Sequence, residues 1–228
     1  MHGKLRPVHR YDPARQKLAL GLAFLAGAVD ATGFLATGGY FASFMSGNTT
    51  RLGVDLATTA SAILLPLAII GSFVSGVVMG AIVAGRWPAY RKRALLLGVS
   101  ALLGVGALAH FLGSTFGFLL PAACAMGLAN NVFSKDGEVT VGVTYMTGAL
   151  VRFGQGIAAQ LTGRSAQGMR GYGLLWLALA LGACGGGWVY AHNAVIAPPL
   201  LCALAVLLFS SSWLIERTGP IDMETAQP

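Results

Sequence analysis

Long apolar runs separated by short polar or basic punctuation occupy nearly the whole chain, at about residues 18–38, 60–85, 94–112, 116–133, 171–191 and 194–215. A helix of roughly 20 apolar residues crosses the hydrocarbon layer of a bilayer, so the pattern predicts six membrane-spanning helices. Two further segments, 41–59 and 139–163, mix apolar residues with Gly, Ser, Thr, Asn or Gln, and each carries one arginine. The first run is too long for a signal-peptide core and lacks an evident cleavage site, which makes it an uncleaved first span.

Basic residues settle how the two polar segments are treated, because Lys and Arg favour the cytoplasmic side of membrane proteins. If neither segment crosses fully, every Lys and Arg except Arg51 falls on, or approaches from, that side, including the cluster Arg86, Arg91, Lys92 and Arg93. Eight crossings would put that cluster outside. The expected layout is therefore a cytoplasmic segment 1–17, membrane segments 18–113 and 114–215, and a cytoplasmic tail 216–228, with both termini inside. Trp87 and Trp213 then lie at the inner interface, and Trp188 and Tyr190 at the outer one.

The polar segments repeat one another. FMSGNTTRLG at 44–53 and YMTGALVRFG at 145–154 share an aromatic, Met, a hydroxyl residue, Gly, and then Arg and Gly at the same spacing. Gly27 and Asp30 on the first span correspond to Gly127 and Asn130 on the fourth, and Gly76-xxx-Gly80 corresponds to Gly182-xxx-Gly186. Three crossings per copy is an odd number, so the second copy inserts upside down. The expected fold is an all-α polytopic membrane bundle of six spans, built as two inverted-topology repeats with one re-entrant or broken polar segment in each. Such repeats are common in transporters, and irregular backbone at membrane depth is tolerated only against protein or a water-filled cavity. The plainer alternative is a pair of interfacial amphipathic helices whose repetition records a duplication.

The candidate chemistry lies in these segments. Ser46, Asn48, Thr49 and Thr147 supply polar groups, and a half-helix beginning near Ser46 or Thr147 would present free N–H groups. Arg51 and Arg152 follow the motif glycines by about one helical turn, and a guanidinium at depth marks either a pathway or a buried pair. Asp30 is the one acid inside a clear span, with Arg51 or Arg152 as its expected partner. Asn130 in the second copy leaves one arginine uncompensated, which favours an anionic or carboxylate-bearing solute; Asp30 shared between both arginines, or protonating in a cycle, fits equally. The glycines 76, 80, 182 and 186 read as helix-packing positions, since small residues let helices approach closely in lipid; Gly76, Gly80, Gly182 and Gly186 would also permit a homo-oligomer.

Composition excludes more than it adds. The chain is 55% hydrophobic and 10% charged, with a mean hydropathy of +0.69, against about 25% charged in soluble domains. That argues against a soluble enzyme, a secreted disulfide scaffold or a disordered tail. The net charge of +7 sits in clusters beside apolar spans rather than along one face, which signals topology and not nucleic-acid binding. Cys124, Cys184 and Cys202 lie inside apolar runs without CxxC spacing, so no metal or disulfide is expected, nor any cofactor. No nucleophile–base set, HExxH or P-loop is present, which argues against an enzyme.

The run AGAVDATGFL at 26–35, followed by FASFMSGNTTRLG at 41–53, resembles the signature of the YoaK-like family of small bacterial multi-pass membrane proteins, and VTYMTGALVRFG in the second half is similar to the same pattern. The resemblance implies a bacterial inner (plasma) membrane protein and supplies no substrate. The expected function is a transporter or channel for a small polar, by preference anionic, solute. Its pathway would lie between the repeats, lined by Asp30, Ser46, Asn48, Thr49, Arg51, Asn130, Thr147 and Arg152. The alternative is a non-transporting scaffold that engages lipid or partners.

Overall fold

The computed structural model describes residues 13–58, 60–135, 138–139, 142–166 and 168–218. Among them the chain forms eight helices: α1 (Pro13–Thr37), α2 (Met45–Thr58), α3 (Leu64–Arg86), α4 (Arg91–Phe111), α5 (Thr115–Ala129), α6 (Met146–Leu161), α7 (Met169–His192) and α8 (Ala197–Thr218). Short 3-10 turns, Ala60–Ile63 and Pro88–Tyr90, lead into α3 and α4.

Among the described residues, four helical segments are long and apolar enough to cross a membrane: α1, α3, Pro88–Phe111 and α7. Two shorter apolar helices, Thr115–Ala129 and Ala197–Trp213, accompany them. The expected fourth span, 116–133, ends early as a helix because Asn130 turns its side chain back onto the Met126 carbonyl (3.0 Å). The chain then leaves through turns closed by the amides of Asn131 and Val132. At about 1.5 Å per residue, the fifteen residues of α5 reach about 22 Å.

One small feature departs from an all-helical chain: Ser134–Lys135 (β1) and Glu138–Val139 (β2) pair antiparallel, with Ser134 opposite Val139 and Lys135 opposite Glu138.

The core is built on α1 and α5. Leu18, Leu22, Leu25 and Val29 of α1 are buried together with Phe118, Leu119, Met126 and the alanines 122, 123 and 125 of α5. Around them, α3, α4, α7 and α8 leave large apolar side chains exposed, among them Val74, Val78, Leu97, Leu108, Leu181 and Leu207. Helices apolar on every side belong in a membrane, and that outer surface is the lipid-facing one.

Close glycine contacts fix the packing. α1 packs chiefly on α7, and α5 on α3 and α4 alike. A Cβ at Gly27 would run into the Leu179 carbonyl and the Ala183 amide nitrogen, and one at Gly127 into the Phe73 carbonyl and the Val77 amide nitrogen. In return Gly182 faces the Phe24 carbonyl and Gly76 the Cys124 carbonyl. Gly186 sits on Ala28, and Gly80 on the side chain of Asn131. The contacts of Gly27 and Gly182 between α1 and α7 thus have counterparts in those of Gly127 and Gly76 between α5 and α3, at the positions paired by the sequence repeat. Ser72 tightens the second of these interfaces with a hydrogen bond to the Leu120 carbonyl (2.7 Å), as does Asn131 to that of Val77 (3.1 Å).

Candidate functional site

After α1 ends at Thr37, the chain folds back along it. The carboxylate of Asp30 accepts a hydrogen bond from the Ser43 amide (2.6 Å) and another from the Ser43 hydroxyl (2.7 Å), and the amides of Ala42 and Phe44 also point to it. Asp30 lies seven residues before the end of α1, so the returning strand descends about 10 Å before α2 begins at Met45. The carboxylate therefore stands at the start of α2, where the unpaired amides and the helix dipole favour a negative charge.

The second half repeats the arrangement in neutral form. Asn130 Oδ1 accepts from the Thr144 hydroxyl (3.1 Å), and α6 starts two residues later at Met146. Tyr145 precedes α6 without contributing a side-chain cap.

Both helix starts open on one cavity of about 870 Å³. Asp30, Ser43 and Ser46 line it from the first half, and Thr144, Thr147 and Gly148 from the second. Most of the wall is apolar, with Phe34, Phe41, Phe44, Phe73, Tyr145 and Trp176 contributing six aromatic rings. Phe41 packs tilted against Phe34 (5.0 Å between centroids) and edge-on against Phe44 (5.2 Å). Asp30 is the single charged side chain in the lining among the described residues.

Of the eight residues expected to form a pathway, the cavity gathers Asp30, Ser46 and Thr147. Asn48 is fully buried beside it and clasps the Phe41 backbone, accepting from its amide (2.9 Å) and donating to its carbonyl (2.7 Å). Thr49 bonds the Met45 carbonyl one turn back, and Asn130 is occupied by Thr144 and Met126.

Neither arginine meets Asp30, contrary to the expected pairing. Arg51 lies over the Tyr40 ring (5.0 Å), and Tyr40 donates its hydroxyl to Asp55 (2.6 Å). Gly39, at φ +137°, gives the guanidinium room, since a Cβ there would stand 3.1 Å from it. Arg152 is exposed, lies over the Tyr172 ring (5.4 Å) and donates to the Tyr172 hydroxyl (3.3 Å). The reason is local geometry: Ser43 supplies donors to Asp30 at short range, whereas each arginine finds an aromatic face on its own side of the bundle.

Sequence reasoning missed the aromatic wall and the Ser43–Thr144 correspondence. The second had a signal, because these hydroxyl residues immediately precede the repeated decapeptides. The rings come from several separate segments and form no motif. Among the described residues, no group of three or more His, Cys, Asp or Glu could hold a metal ion.

These features define a helical multi-pass membrane protein with a cavity between two related halves of its sequence. The chain belongs to the family described as Protein of unknown function (DUF1275), whose model matches residues 18–211. It is also 36% identical over 206 residues to the UPF0700 transmembrane protein RA0705 of Rhizobium meliloti (strain 1021), covering 88% of this chain and 87% of that one. No solved structure matches it. The membership agrees with the resemblance read from residues 26–35 and 41–53.

Proposed function

We propose that this protein is a transporter of the bacterial inner membrane, with six crossings arranged as two oppositely oriented repeats and the 870 Å³ cavity as its solute site. The observation that carries the proposal is the convergence of Asp30 and the starts of α2 and α6 on that cavity. In this reading the segments before α2 and α6 are re-entrant. One enters from outside to the level of Asp30, and the other from inside to the level of Asn130. The exchange of glycine contacts between α1–α7 and α5–α3 supports the inverted arrangement. The basic residues beside the α3–α4 turn, Arg86, Arg91, Lys92 and Arg93, support cytoplasmic termini.

The solute differs from the anionic one expected of an unpaired arginine. Arg152 does not line the cavity and Asp30 does, so the field inside opposes an anion.

Two measurements test the reading. In a background lacking Cys124, Cys184 and Cys202, the equivalent positions Ala89 and Val195 are changed singly to Cys and labelled in intact cells with a membrane-impermeant maleimide. Labelling at 195 alone is expected; equal behaviour at both removes the inverted arrangement. In proteoliposomes, flux across a panel of small cations, neutral molecules and anions is compared with Gly148→Leu. Gly148 lines the cavity, and a Cβ there meets open space, so the variant folds and blocks. Wild-type vesicles no more permeable than empty ones to any probe would leave the scaffold reading standing.

A further inference from the structure

We propose that the solute is an organic cation, an ammonium group carried on an apolar or aromatic body. The inference rests on the cavity being a solute site, and it names the class that the site accepts.

Three observations converge on it. Among the described residues the lining contains one charged side chain, the carboxylate of Asp30, and no Lys, Arg or His. The cations within the two repeated motifs are engaged elsewhere, Arg51 over Tyr40 and Arg152 over Tyr172. Asp30 is therefore held by neutral donors from Ser43 and its neighbours, which fix its position and set no formal positive charge against it. An opposite charge in contact with it gains most where the surroundings are apolar.

Six aromatic side chains line the cavity, and aromatic faces attract ammonium groups while accommodating an apolar body. A volume of 870 Å³ lies within the range of about 300–1,000 Å³ typical of small-molecule sites, which leaves room for a ring-bearing amine. The start of α6 forms another part of the wall, and its free amides carry partial positive charge. The start of α2 carries the same partial charge but has the Asp30 carboxylate beside it, so the ammonium group is favoured at that end of the cavity.

The test uses the full chain purified in detergent, with Trp87, Trp188 and Trp213 changed to Phe so that Trp176, in the cavity wall, reports binding by fluorescence. Three probes of nearly equal size are titrated: phenethylammonium, phenethyl alcohol and phenylacetate. Phenethylammonium is expected to bind tightest, and Asp30→Asn to weaken it by about tenfold to a hundredfold, the range for losing a hydrogen bond to a charged group. Binding of the alcohol should be unchanged in that variant. Asparagine is the residue that the second half carries at the equivalent place, where it still accepts from Thr144, so the variant keeps its bond to Ser43 and folds. Gly148→Leu should weaken every probe that the cavity binds. Tighter binding of phenylacetate, equal binding of ammonium and alcohol, insensitivity to Asp30→Asn, or no binding of phenethylammonium would each overturn the proposal. Binding without flux in proteoliposomes would instead refute transport and leave the cation site intact, whereas flux of anions without ammonium binding would do the reverse.

Discussion

Asp30 and Ser43 are joined by two hydrogen bonds, of 2.6 Å from the amide and 2.7 Å from the hydroxyl, and this pair sets where the chain turns back along α1 and where α2 starts. Removing the acceptor leaves buried donors without a partner. Asp30→Ala should therefore lower stability by about 3 kcal/mol, each hydrogen bond to a charged group contributing roughly 1.5–3 kcal/mol. Asp30→Asn should lose half of that or less. Thermal unfolding of the purified protein in one detergent compares them; equal losses would mean that the charge, and not the acceptor geometry, holds the loop.

The glycine contacts make a sharper contrast. A Cβ at Gly27, Gly127, Gly76 or Gly182 would run into a backbone carbonyl of the facing helix, and backbone cannot rotate aside as a side chain can. Gly27→Ala and Gly127→Ala should each destabilise by about 3 kcal/mol or more, at or beyond the upper end of ordinary overpacking. Gly148→Ala meets nothing within 4 Å, and should be neutral or stabilising by up to about 1 kcal/mol through helix propensity. Similar losses at all three positions would show that the close helix approach is not what the glycines provide.

Much of the frame was legible because a membrane writes its constraint into long apolar runs. The expected spans 60–85 and 171–191 became α3 (Leu64–Arg86) and α7 (Met169–His192). Gly76 and Gly182, expected as helix-packing positions, each face a backbone carbonyl of the neighbouring helix. The early end of α5 was not visible, since Ala129 to Phe133 are all buried and hydropathy does not distinguish buried turn from helix. The site was read in part. The motif located the starts of α2 and α6, but charge complementarity alone assigned Asp30 an arginine partner, when a serine thirteen residues away was closer. The aromatic wall was invisible for a different reason: Phe34, Phe73 and Trp176 come together only when three helices pack.

Tyr40 and Asp55 offer a test of how α2 is held. Asp55 is 7% exposed and accepts the Tyr40 hydroxyl at 2.6 Å. Tyr40→Phe keeps the ring under Arg51 and leaves the carboxylate short of a donor, which should cost about 1–3 kcal/mol. A double-mutant cycle with Asp55→Asn should return a coupling energy of at least about 1 kcal/mol. Additive losses would mean that the hydroxyl and the carboxylate contribute independently, and that the Arg51 stack alone anchors the loop.

Arg152 separates the two readings of the cavity. A cationic pathway lining, as its place in the repeated motif suggests, would make it indispensable for an anionic solute. In the structure it is exposed, rests on Tyr172 and is absent from the lining. Arg152→Gln should therefore change stability by no more than about 0.5 kcal/mol, as for other surface substitutions, and should leave phenethylammonium affinity within about twofold, since a twofold change is only about 0.4 kcal/mol. Titration of the Trp176 signal in this variant, run beside Asp30→Asn, makes the comparison direct. A large loss at Arg152 with little at Asp30 would return the charge that matters to the arginine, and the field inside the cavity would then have to be argued with the opposite sign.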